Sequence, residues 1–272
     1  MTLSYKGRLA PSPTGFLHLG HAATFWTAYQ RANKPRGTLL LRNEDLDPQR
    51  SKVELVDAMV EDLAWLRIDW EPPMVSQSGR AGIYRQAFER LLEAGFVYPC
   101  RCSRKDLARM MHAPHEDTDD EPVYDGQCRP TGEALSRSLV PGMNYRFRVP
   151  DGEAIRFLDA NMGARTFTAG VDFGDFLVWR KDGLPSYQLA CVVDDAAMAI
   201  TEVVRGADLL KSTARQILLQ RALGLAGVDY FHTRLMVDEH GVRLAKRHDA
   251  LAIRTLRERG LSREDVVALF GG

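Results

Sequence analysis

The stretch Arg8-Leu-Ala-Pro-Ser-Pro-Thr-Gly-Phe-Leu-His-Leu-Gly-His21 decides the fold that we expect for this chain. Residues 5–10, which overlap the beginning of this stretch, predict a strand. Apolar residues at helical spacing predict a helix over 19–32. The turn between them directs backbone N–H groups and the positive end of the helix dipole at whatever lies above the sheet. The stretch therefore predicts a site for a negatively charged group where a strand gives way to a helix.

Two histidines and two glycines in this stretch are candidate ligand contacts. His18 and His21 are three residues apart, so they share one helix face near its N-terminus and can donate hydrogen bonds to phosphate oxygens. Gly15 and Gly20 let a ligand approach the backbone closely. For an isolated pair of histidines at this spacing, two other interpretations compete with phosphate contacts: plain surface residues, or a pair that binds zinc. The whole string is more specific than the pair.

The next segments continue an alternation of strands and helices. Thr38–Arg42 is a short apolar run that predicts a buried strand. Asp47-Pro48 predicts the N-cap and first turn of an amphipathic helix that continues to Leu66. A second helix carries Tyr84–Leu92 and stops at Gly95. This alternation predicts an α/β protein with a parallel sheet.

The character of the sequence changes at about Phe96, where cysteines and then an acidic stretch appear. We predict an insertion over 96–185, with short strands and turns in 131–182. The expected parts are the first half of the core at 1–95, the insertion at 96–185 and the second half with C-terminal helices at 186–272. The predicted elements after the insertion are a helix at 187–193, a strand at 198–204, a helix at 212–223, a strand at 234–237, and helices at 251–259 and 263–270.

Composition excludes several classes of protein. The chain has 272 residues with 36 Lys+Arg, 36 Asp+Glu and net charge +0, which is ordinary for one or two globular domains. Net charge excludes a strongly cationic coat for nucleic acid but leaves room for a local basic face. The N-terminus lacks the apolar core of a signal peptide, and no run of about 18 apolar residues predicts a membrane span. We therefore expect a cytoplasmic protein without membrane contact. Nothing in the sequence constrains the oligomeric state, and a monomer is the default expectation.

The cysteines predict a metal site. Cys100-x-Cys102 is followed by Cys128, and three thiolates so close in a protein of a reducing compartment suggest a tetrahedral zinc site that lacks one ligand. The candidates for that ligand are His112, His115 and Tyr124. Ligand chemistry alone favours a histidine, and the alternative to a metal site is three buried thiols without a metal. Cys191 lies in an apolar segment and is expected in the core.

With these motifs the sequence resembles the class I aminoacyl-tRNA synthetases, and among them the catalytic core of glutamyl-tRNA synthetases. The family's His-Ile-Gly-His nucleotide signature is similar to His18-Leu19-Gly20-His21. Further similar stretches, in the same order, are Leu41–Asp47, Ser186–Ala190, Val192–Asp195 and Val203–Asp208. The resemblance spans about residues 5–250. It implies a Rossmann-like parallel-sheet core for nucleotide binding with a zinc-containing α+β insertion.

The second nucleotide signature of the family is altered. Its Lys-Met-Ser-Lys-Ser pattern corresponds here to Arg243–Arg247, in which only Lys246 is unchanged. The reaction requires a cation that stabilises the negative charge of the leaving pyrophosphate, and Lys246 supplies it. Read without the resemblance, this segment is a solvated basic loop.

The resemblance also implies roles for individual residues. Arg8 and Arg205 are the expected carboxylate contacts and Glu44 the expected acceptor for the ammonium group of glutamate, all at strand ends where α/β sheets bind ligands. The implied glutamate site comprises Arg8, Leu9, Ala10, Pro11, Ser12, Glu44, Tyr187 and Arg205. The implied ATP site comprises His18, Gly20, His21 and Lys246. The implied zinc ligands, from the Cys-x-Cys…Tyr-x-x-x-Cys pattern of the short relatives in this family, are Cys100, Cys102, Tyr124 and Cys128.

The length points to the short relatives of glutamyl-tRNA synthetases, since Gly272 follows Lys246 by about 25 residues and leaves little for a domain that reads the anticodon. The resemblance then implies activation of glutamate by ATP, with Mg²⁺ as its counterion, and transfer to queuosine in the anticodon loop of tRNA(Asp). One alternative is a truncated synthetase that charges a tRNA 3′ end. A second is a tRNA-binding module without catalysis.

Overall fold

The computed structural model describes residues 4–34, 36–102, 123–131, 138–237 and 251–270. The strands are β1 (Lys6–Leu9), β2 (Thr38–Asn43), β3 (Glu71–Ser76), β4 (Val97–Cys100), β5 (Asn144–Phe147), β6 (Ala154–Asp159), β7 (Gly163–Thr168), β8 (Phe176–Trp179), β9 (Glu202–Gly206) and β10 (Asp229–Thr233). The α-helices are α1 (Leu19–Asn33), α2 (Val53–Trp65), α3 (Ala81–Glu93), α4 (Tyr187–Ala197), α5 (Leu210–Leu223), α6 (Ile253–Glu258) and α7 (Arg263–Ala268).

The chain divides into two compact units, each made of separate segments. The first unit is Met1–Gly79, Ala199–Ala207 and Val228–Gly272, and the second is Arg80–Met198 and Asp208–Gly227. Helix α3 belongs to the second unit, although the sequence analysis assigned it to the first half of the core. The division at 96 and 185 into core and insertion stays a prediction.

Parallel strands form the first unit, as the alternation of strands and helices predicts. Strand β1 pairs with β2 in parallel, with Arg8 opposite Leu40, and β2 pairs with β3. Strand β9 lies beside β1, since the Thr201 N–H donates to the Lys6 carbonyl at 2.8 Å. Strand β10 then pairs with β9 in parallel. The carboxyl ends of β1, β2 and β9 hold Arg8, Glu44 and Arg205 in or just after the strand.

The core of the first unit lies between these strands and α1, α2 and α6. Leu9 and Leu41 on the strands are fully buried, as are Leu63 in α2 and Ile253 in α6. Burial of each such side chain contributes about 2 kcal/mol relative to an exposed position. The buried face of α1 includes the small residues Ala22, Ala28 and Ala32, which allow this helix to pack closely on the sheet.

Gly37 controls the turn from α1 into β2. Its N–H donates to the Ala32 carbonyl at 2.8 Å, and the next N–H, of Thr38, donates to the Tyr5 carbonyl at 2.9 Å. A Cβ atom at position 37 would lie 2.6 Å from the Tyr5 carbonyl oxygen. Only glycine therefore fits at position 37, where β2 begins alongside the start of β1.

The second unit combines an antiparallel sheet, a hairpin and helices. Strands β4, β5 and β8 form the sheet in that order, and β6 pairs with β7 as a hairpin. The short strands and turns predicted for 131–182 are confirmed in the described residues of that range. Asp194 on α4, fully buried, accepts hydrogen bonds from the Tyr84 hydroxyl at 2.8 Å and from Arg80 Nε at 2.7 Å. These bonds hold α3 against α4.

Three local predictions were wrong or incomplete. Helix α2 begins at Val53 after the N-cap Lys52, and not at Asp47-Pro48. The Asp47 carboxylate instead accepts from the Gln49 N–H at 3.1 Å, so it stabilises a separate turn before the helix. The strand predicted at 198–204 lies at Glu202–Gly206. The strand predicted at 234–237 lies at Asp229–Thr233, because it pairs in register with that shifted strand, β9.

Strand β3 was not predicted, because Pro72 and Pro73 argue against a strand. It is an end strand in the β1-β2-β3 order, a position at which a residue without an N–H is tolerated.

None of the helices in the described ranges is long and apolar enough to cross a bilayer.

We predict that Gly37→Ala destabilises the first unit, because its Cβ atom and the Tyr5 backbone cannot occupy the same space. The expected loss in the free energy of unfolding is about 2 kcal/mol, measured by urea denaturation with circular dichroism. Gly227→Ala is the matched control, since a Cβ there meets no atom within 4 Å. Equal stability of the two variants would contradict the argument.

Candidate active site

The two histidines of the strand–helix junction lie stacked on each other. His18 is the N-cap of α1, with an extended backbone, and its side chain makes no capping hydrogen bond. Its ring lies 3.8 Å from the ring of His21, centroid to centroid, with 27° between the planes. The ring of His21 is also 6.3 Å from that of Phe25. The structure thus brings the predicted pair together as one imidazole surface at the positive end of the helix.

The two glycines of the motif differ in their surroundings. A Cβ atom on Gly20 would lie 3.3 Å from Cε1 and 3.4 Å from Nδ1 of the His18 ring, so Gly20 makes room for the stacked histidine. A Cβ atom on Gly15 would meet no protein atom within 4 Å. Packing within the protein therefore accounts for Gly20 but not for Gly15.

The chain returns to this junction near its C-terminal end. His18 forms an isolated antiparallel bridge with Ala252, and the Ile253 N–H donates to the Leu17 carbonyl at 2.8 Å. Ala252 follows Lys246 by six positions in the sequence. Lys246 itself and the rest of the Arg243–Arg247 signature lie outside the described residues.

The two arginines predicted to contact carboxylates converge on one strand. Nη1 of Arg8 donates to the Val204 carbonyl of β9 at 2.9 Å, directly before Arg205 in the chain. Arg8 is 4% exposed and Arg205 5% exposed. Arg8 is thus bonded to the backbone of the strand that carries Arg205, and buried cationic side chains of this kind favour an anionic ligand.

Arg205 has a partner that the sequence analysis missed. In the parallel pairing of β9 with β10, His232 lies opposite Arg205. Arg205 Nε donates to His232 Nε2 at 3.2 Å, and the His232 side chain is fully buried. A single histidine in a strand carries no motif, so the sequence offered no signal for it.

Glu44, the predicted acceptor for an ammonium group, is held by an arginine that the sequence analysis also missed. Nη2 of Arg42 lies 2.9 Å from Oε1 of Glu44, and Arg42 is fully buried. The Glu44 N–H donates to the Pro11 carbonyl at 2.9 Å, which ties the end of β2 to the loop after β1. A charged residue inside an apolar strand was the available signal, since a buried charge requires a partner.

The other predicted glutamate contacts are distributed between the two units. In the first unit, Leu9 is fully buried in the core, Ala10 is half-buried and Ser12 is exposed. In the second unit, Tyr187 is the first residue of α4, 38% exposed, and the preceding Ser186 caps that helix through its hydroxyl. Direct hydrogen bonds in the first unit join Arg8 to the backbone of β9, just before Arg205, and join Glu44 to Pro11.

Three thiols and a phenol form a compact cluster in the second unit. Sγ of Cys102 lies 3.5 Å from Sγ of Cys128, and the ligand atoms of Cys100, Cys102 and Cys128 all lie within 4.8 Å of one another. The Tyr124 hydroxyl lies 3.6 Å from Cys100 Sγ and 3.5 Å from Cys102 Sγ. Tetrahedral zinc with Zn–S bonds of about 2.3 Å separates sulfur atoms by about 3.8 Å, so these side chains fit that ion.

The thiols of this cluster differ in acidity. Burial raises the pKa of Cys102 to about 11. Burial also raises the pKa of Cys128, but hydrogen bonds from Tyr124, the Arg101 backbone and the other thiols outweigh it and lower the pKa to about 7. Burial and hydrogen bonds to the thiols raise the pKa of Tyr124. Of these three groups the thiol of Cys128 ionises most readily, while ionisation of Cys102 and Tyr124 is disfavoured. Closely packed ionisable groups of this kind are typical of cation ligands.

The surroundings of Tyr124 fix its position. The guanidinium carbon of Arg146 lies 4.1 Å from the centre of the Tyr124 ring. A Cβ atom on Gly174 would lie 2.7 Å from the Tyr124 backbone nitrogen, so only glycine fits there. His112 and His115, the other candidate ligands, lie outside the described residues. Cys191 is a buried residue of α4, as predicted.

Comparisons with known proteins agree with these features. The family model of class I tRNA synthetases (E and Q), catalytic domain, matches residues 5–271. The Glutamyl-Q tRNA(Asp) synthetase of Symbiobacterium thermophilum is 45% identical over 272 residues, which cover 96% of this chain and 84% of that protein. The Glutamate--tRNA ligase of Aquifex aeolicus is 40% identical, over 97% of this chain and 55% of that protein.

A solved structure is similar as well. The glutamate tRNA ligase of Elizabethkingia meningosepticum, in complex with its amino acid, is 27% identical with a TM-score of 0.74. The match covers 95% of this chain and 54% of that one, so the chain spans about half the length of the ligase. Sequence and structure lead to one conclusion: the chain belongs to the class I tRNA synthetases (E and Q), a family of ligases, and contains their catalytic domain.

Proposed function

We propose that this protein activates glutamate with ATP as glutamyl-adenylate and transfers the glutamyl group to queuosine in the anticodon loop of tRNA(Asp). The observation that carries the proposal is the placement of Arg8, Glu44 and Arg205 at the carboxyl ends of β1, β2 and β9, in the unit that holds the stacked His18 and His21. Relatives more than 40% identical, named Glutamyl-Q tRNA(Asp) synthetase, support the choice of acceptor.

Glutamate needs cations for its carboxylates and an anion for its ammonium group. Arg8 and Arg205 provide the cations, and their burial strengthens each hydrogen bond to a carboxylate relative to water. Glu44 provides the anion, oriented by Arg42. Ser12 in the first unit and Tyr187 in the second are further proposed hydrogen-bonding residues for glutamate. Arg8 and Arg205 for the two carboxylates, and Glu44 for the ammonium group, match an amino acid with an acidic side chain.

The first step needs charge stabilisation and no protein nucleophile. The glutamate α-carboxylate attacks the α-phosphorus of ATP in line, and pyrophosphate leaves. His18 and His21 donate hydrogen bonds to phosphate oxygens beside the N–H groups of the α1 N-terminus. Lys246 is the proposed cation for the leaving pyrophosphate. Mg²⁺ accompanies ATP as its counterion.

The second step uses a hydroxyl of the queuosine cyclopentene-diol. It attacks the activated carbonyl, AMP leaves, and an ester forms. Positioning of the two reactants supplies most of the acceleration. We expect recognition of tRNA through the shape and phosphates of its loop, with the modified base inserted into the site. Zero net charge favours moderate affinity that falls as salt rises.

Zinc is the proposed ion for the cluster of the second unit, with Cys100, Cys102, Tyr124 and Cys128 as its ligands. Four protein ligands leave no open position for substrate, so the ion stabilises folding and takes no part in the reaction. The Arg146 guanidinium packs on the Tyr124 ring and so helps to hold the phenol beside the thiols.

One observation favours a second candidate, which is esterification of a tRNA 3′ end. Relatives named Glutamate--tRNA ligase are 40–41% identical to this chain. The adenylate step is common to both candidates, so only the acceptor distinguishes them.

We predict that the acceptor test separates these functions. Labelled glutamate and ATP are incubated with tRNA(Asp) containing queuosine, with tRNA(Asp) lacking queuosine, and with queuosine tRNA(Asp) trimmed of its 3′-terminal adenosine. The expected result is label on the first and third RNAs, at least about tenfold above the second, since the diol is the nucleophile.

Two other labelling results would contradict the proposed function. Label on queuosine-free tRNA(Asp) but not on the trimmed RNA would support charging of the 3′ end. Absence of glutamate-dependent exchange of pyrophosphate into ATP would overturn the catalytic proposal and favour a binding module.

Lys246→Ala is expected to lower the rate of pyrophosphate exchange by about 100-fold or more, because one group that stabilises developing charge is lost. Circular dichroism is expected to remain unchanged. Lys181→Ala is the control, since this exposed lysine lies in the second unit. Normal exchange by the Lys246 variant would remove that residue from the mechanism.

Purified protein is expected to contain about one zinc ion per chain, measured by elemental analysis. Cys128→Ala is expected to lose the zinc and to unfold at a lower temperature, because three ligands hold the ion less firmly. Cys191→Ala is the matched control, since it removes a buried thiol outside the cluster. Wild-type protein without zinc, prepared without chelator, would refute the assignment.

A further inference from the structure

We propose that His232 is a positioning residue for Arg205, and that its imidazole sets the orientation in which the guanidinium meets a glutamate carboxylate. The proposal rests on the proposed function, in which Arg205 contacts glutamate. Neither the family motifs nor the resemblance in sequence assigns His232 a role.

The first support is the hydrogen bond itself. Arg205 Nε donates to His232 Nε2 at 3.2 Å. An arginine guanidinium has no acceptor atom, so the imidazole nitrogen must accept, and the histidine is neutral with its proton on Nδ1. A bond at Nε fixes the rotation of the planar guanidinium about its own side chain. It therefore sets the direction in which the two terminal nitrogens point.

The second support is that consecutive residues of β10 hold the same arginine. The Thr233 hydroxyl lies 3.4 Å from the Arg205 carbonyl, while His232 binds the side chain. The Tyr230 ring lies 5.8 Å from the Arg205 guanidinium carbon and 6.2 Å from the His232 ring. Strand β10 thus contacts Arg205 at its backbone, at Nε and over the guanidinium group.

The third support is burial. His232 is 0% exposed and Arg205 5% exposed, so water does not replace the imidazole as an acceptor without rearrangement. Bidentate recognition of a carboxylate depends on the plane of the guanidinium, and loss of its support costs affinity for the ligand. The expected effect falls on glutamate and not on ATP.

The test compares His232→Phe, which keeps a ring but removes the acceptor, with His232→Gln, whose amide oxygen can accept from Arg205. Glutamate-dependent pyrophosphate exchange gives the KM for each substrate and kcat. For His232→Phe we expect a KM for glutamate raised roughly tenfold or more, with the KM for ATP within about twofold of wild type. For His232→Gln we expect a KM for glutamate within about threefold of wild type, because the acceptor is retained.

A double-mutant cycle separates positioning from a structural role. In an Arg205→Ala background, His232→Phe is expected to change the KM for glutamate by less than about twofold, since the group that it positions is gone. Additive effects of the two substitutions on the KM for glutamate would overturn the proposal. An unchanged KM for glutamate in His232→Phe would overturn it as well. So would equal increases of the KM for glutamate and the KM for ATP in the Phe and Gln variants. Wild-type protein without glutamate-dependent exchange would overturn the proposed function and this proposal together. Normal wild-type exchange with an unaffected His232→Phe variant would overturn this one alone.

Discussion

The hydrogen bond from the Arg8 guanidinium to the Val204 carbonyl joins two strands that are 196 residues apart in sequence. It holds β1 against β9 at the end where Glu44 and Arg205 also lie. Together with the bond from the Thr201 N–H to the Lys6 carbonyl, it brings the proposed carboxylate contacts, Arg8 and Arg205, onto neighbouring strands from distant parts of the chain. The proposed chemistry therefore depends on closing a long loop, which costs entropy that the apolar core around Leu9 and Leu41 must offset.

The first half of the parallel core could be predicted, because strand and helix periodicities there are local. β1, α1 and β2 lie where the pattern places them. The errors come from interactions that a pattern does not contain. Asp47 forms a turn with its own neighbours rather than capping α2. β10 is fixed by its register with β9, which no feature of Arg234–Val237 reveals.

The candidate site shows the same division between local and distant information. The cluster of three thiols was predictable from spacing, and the structure brings them together. Tyr124 as the fourth member came only from the resemblance to the family, since ligand chemistry alone favoured a histidine. The His18 and His21 pair was also predictable from spacing. Arg42 and His232 were not identified, because their roles depend on partners across the strands and on complete burial. Gly174 beneath Tyr124 likewise has a meaning only in three dimensions.

The segmented construction of the first unit imposes an order on its synthesis. The second unit is complete in the chain at Gly227, before β10 is translated. Arg205 precedes His232 by 27 residues, so at ribosomal rates of about 5–20 residues per second it waits roughly 1 to 5 s for its imidazole partner. During that interval a charged strand, β9, has its neighbour β1 but not β10. β10, the last strand among the described residues, thus completes the surroundings of Arg205.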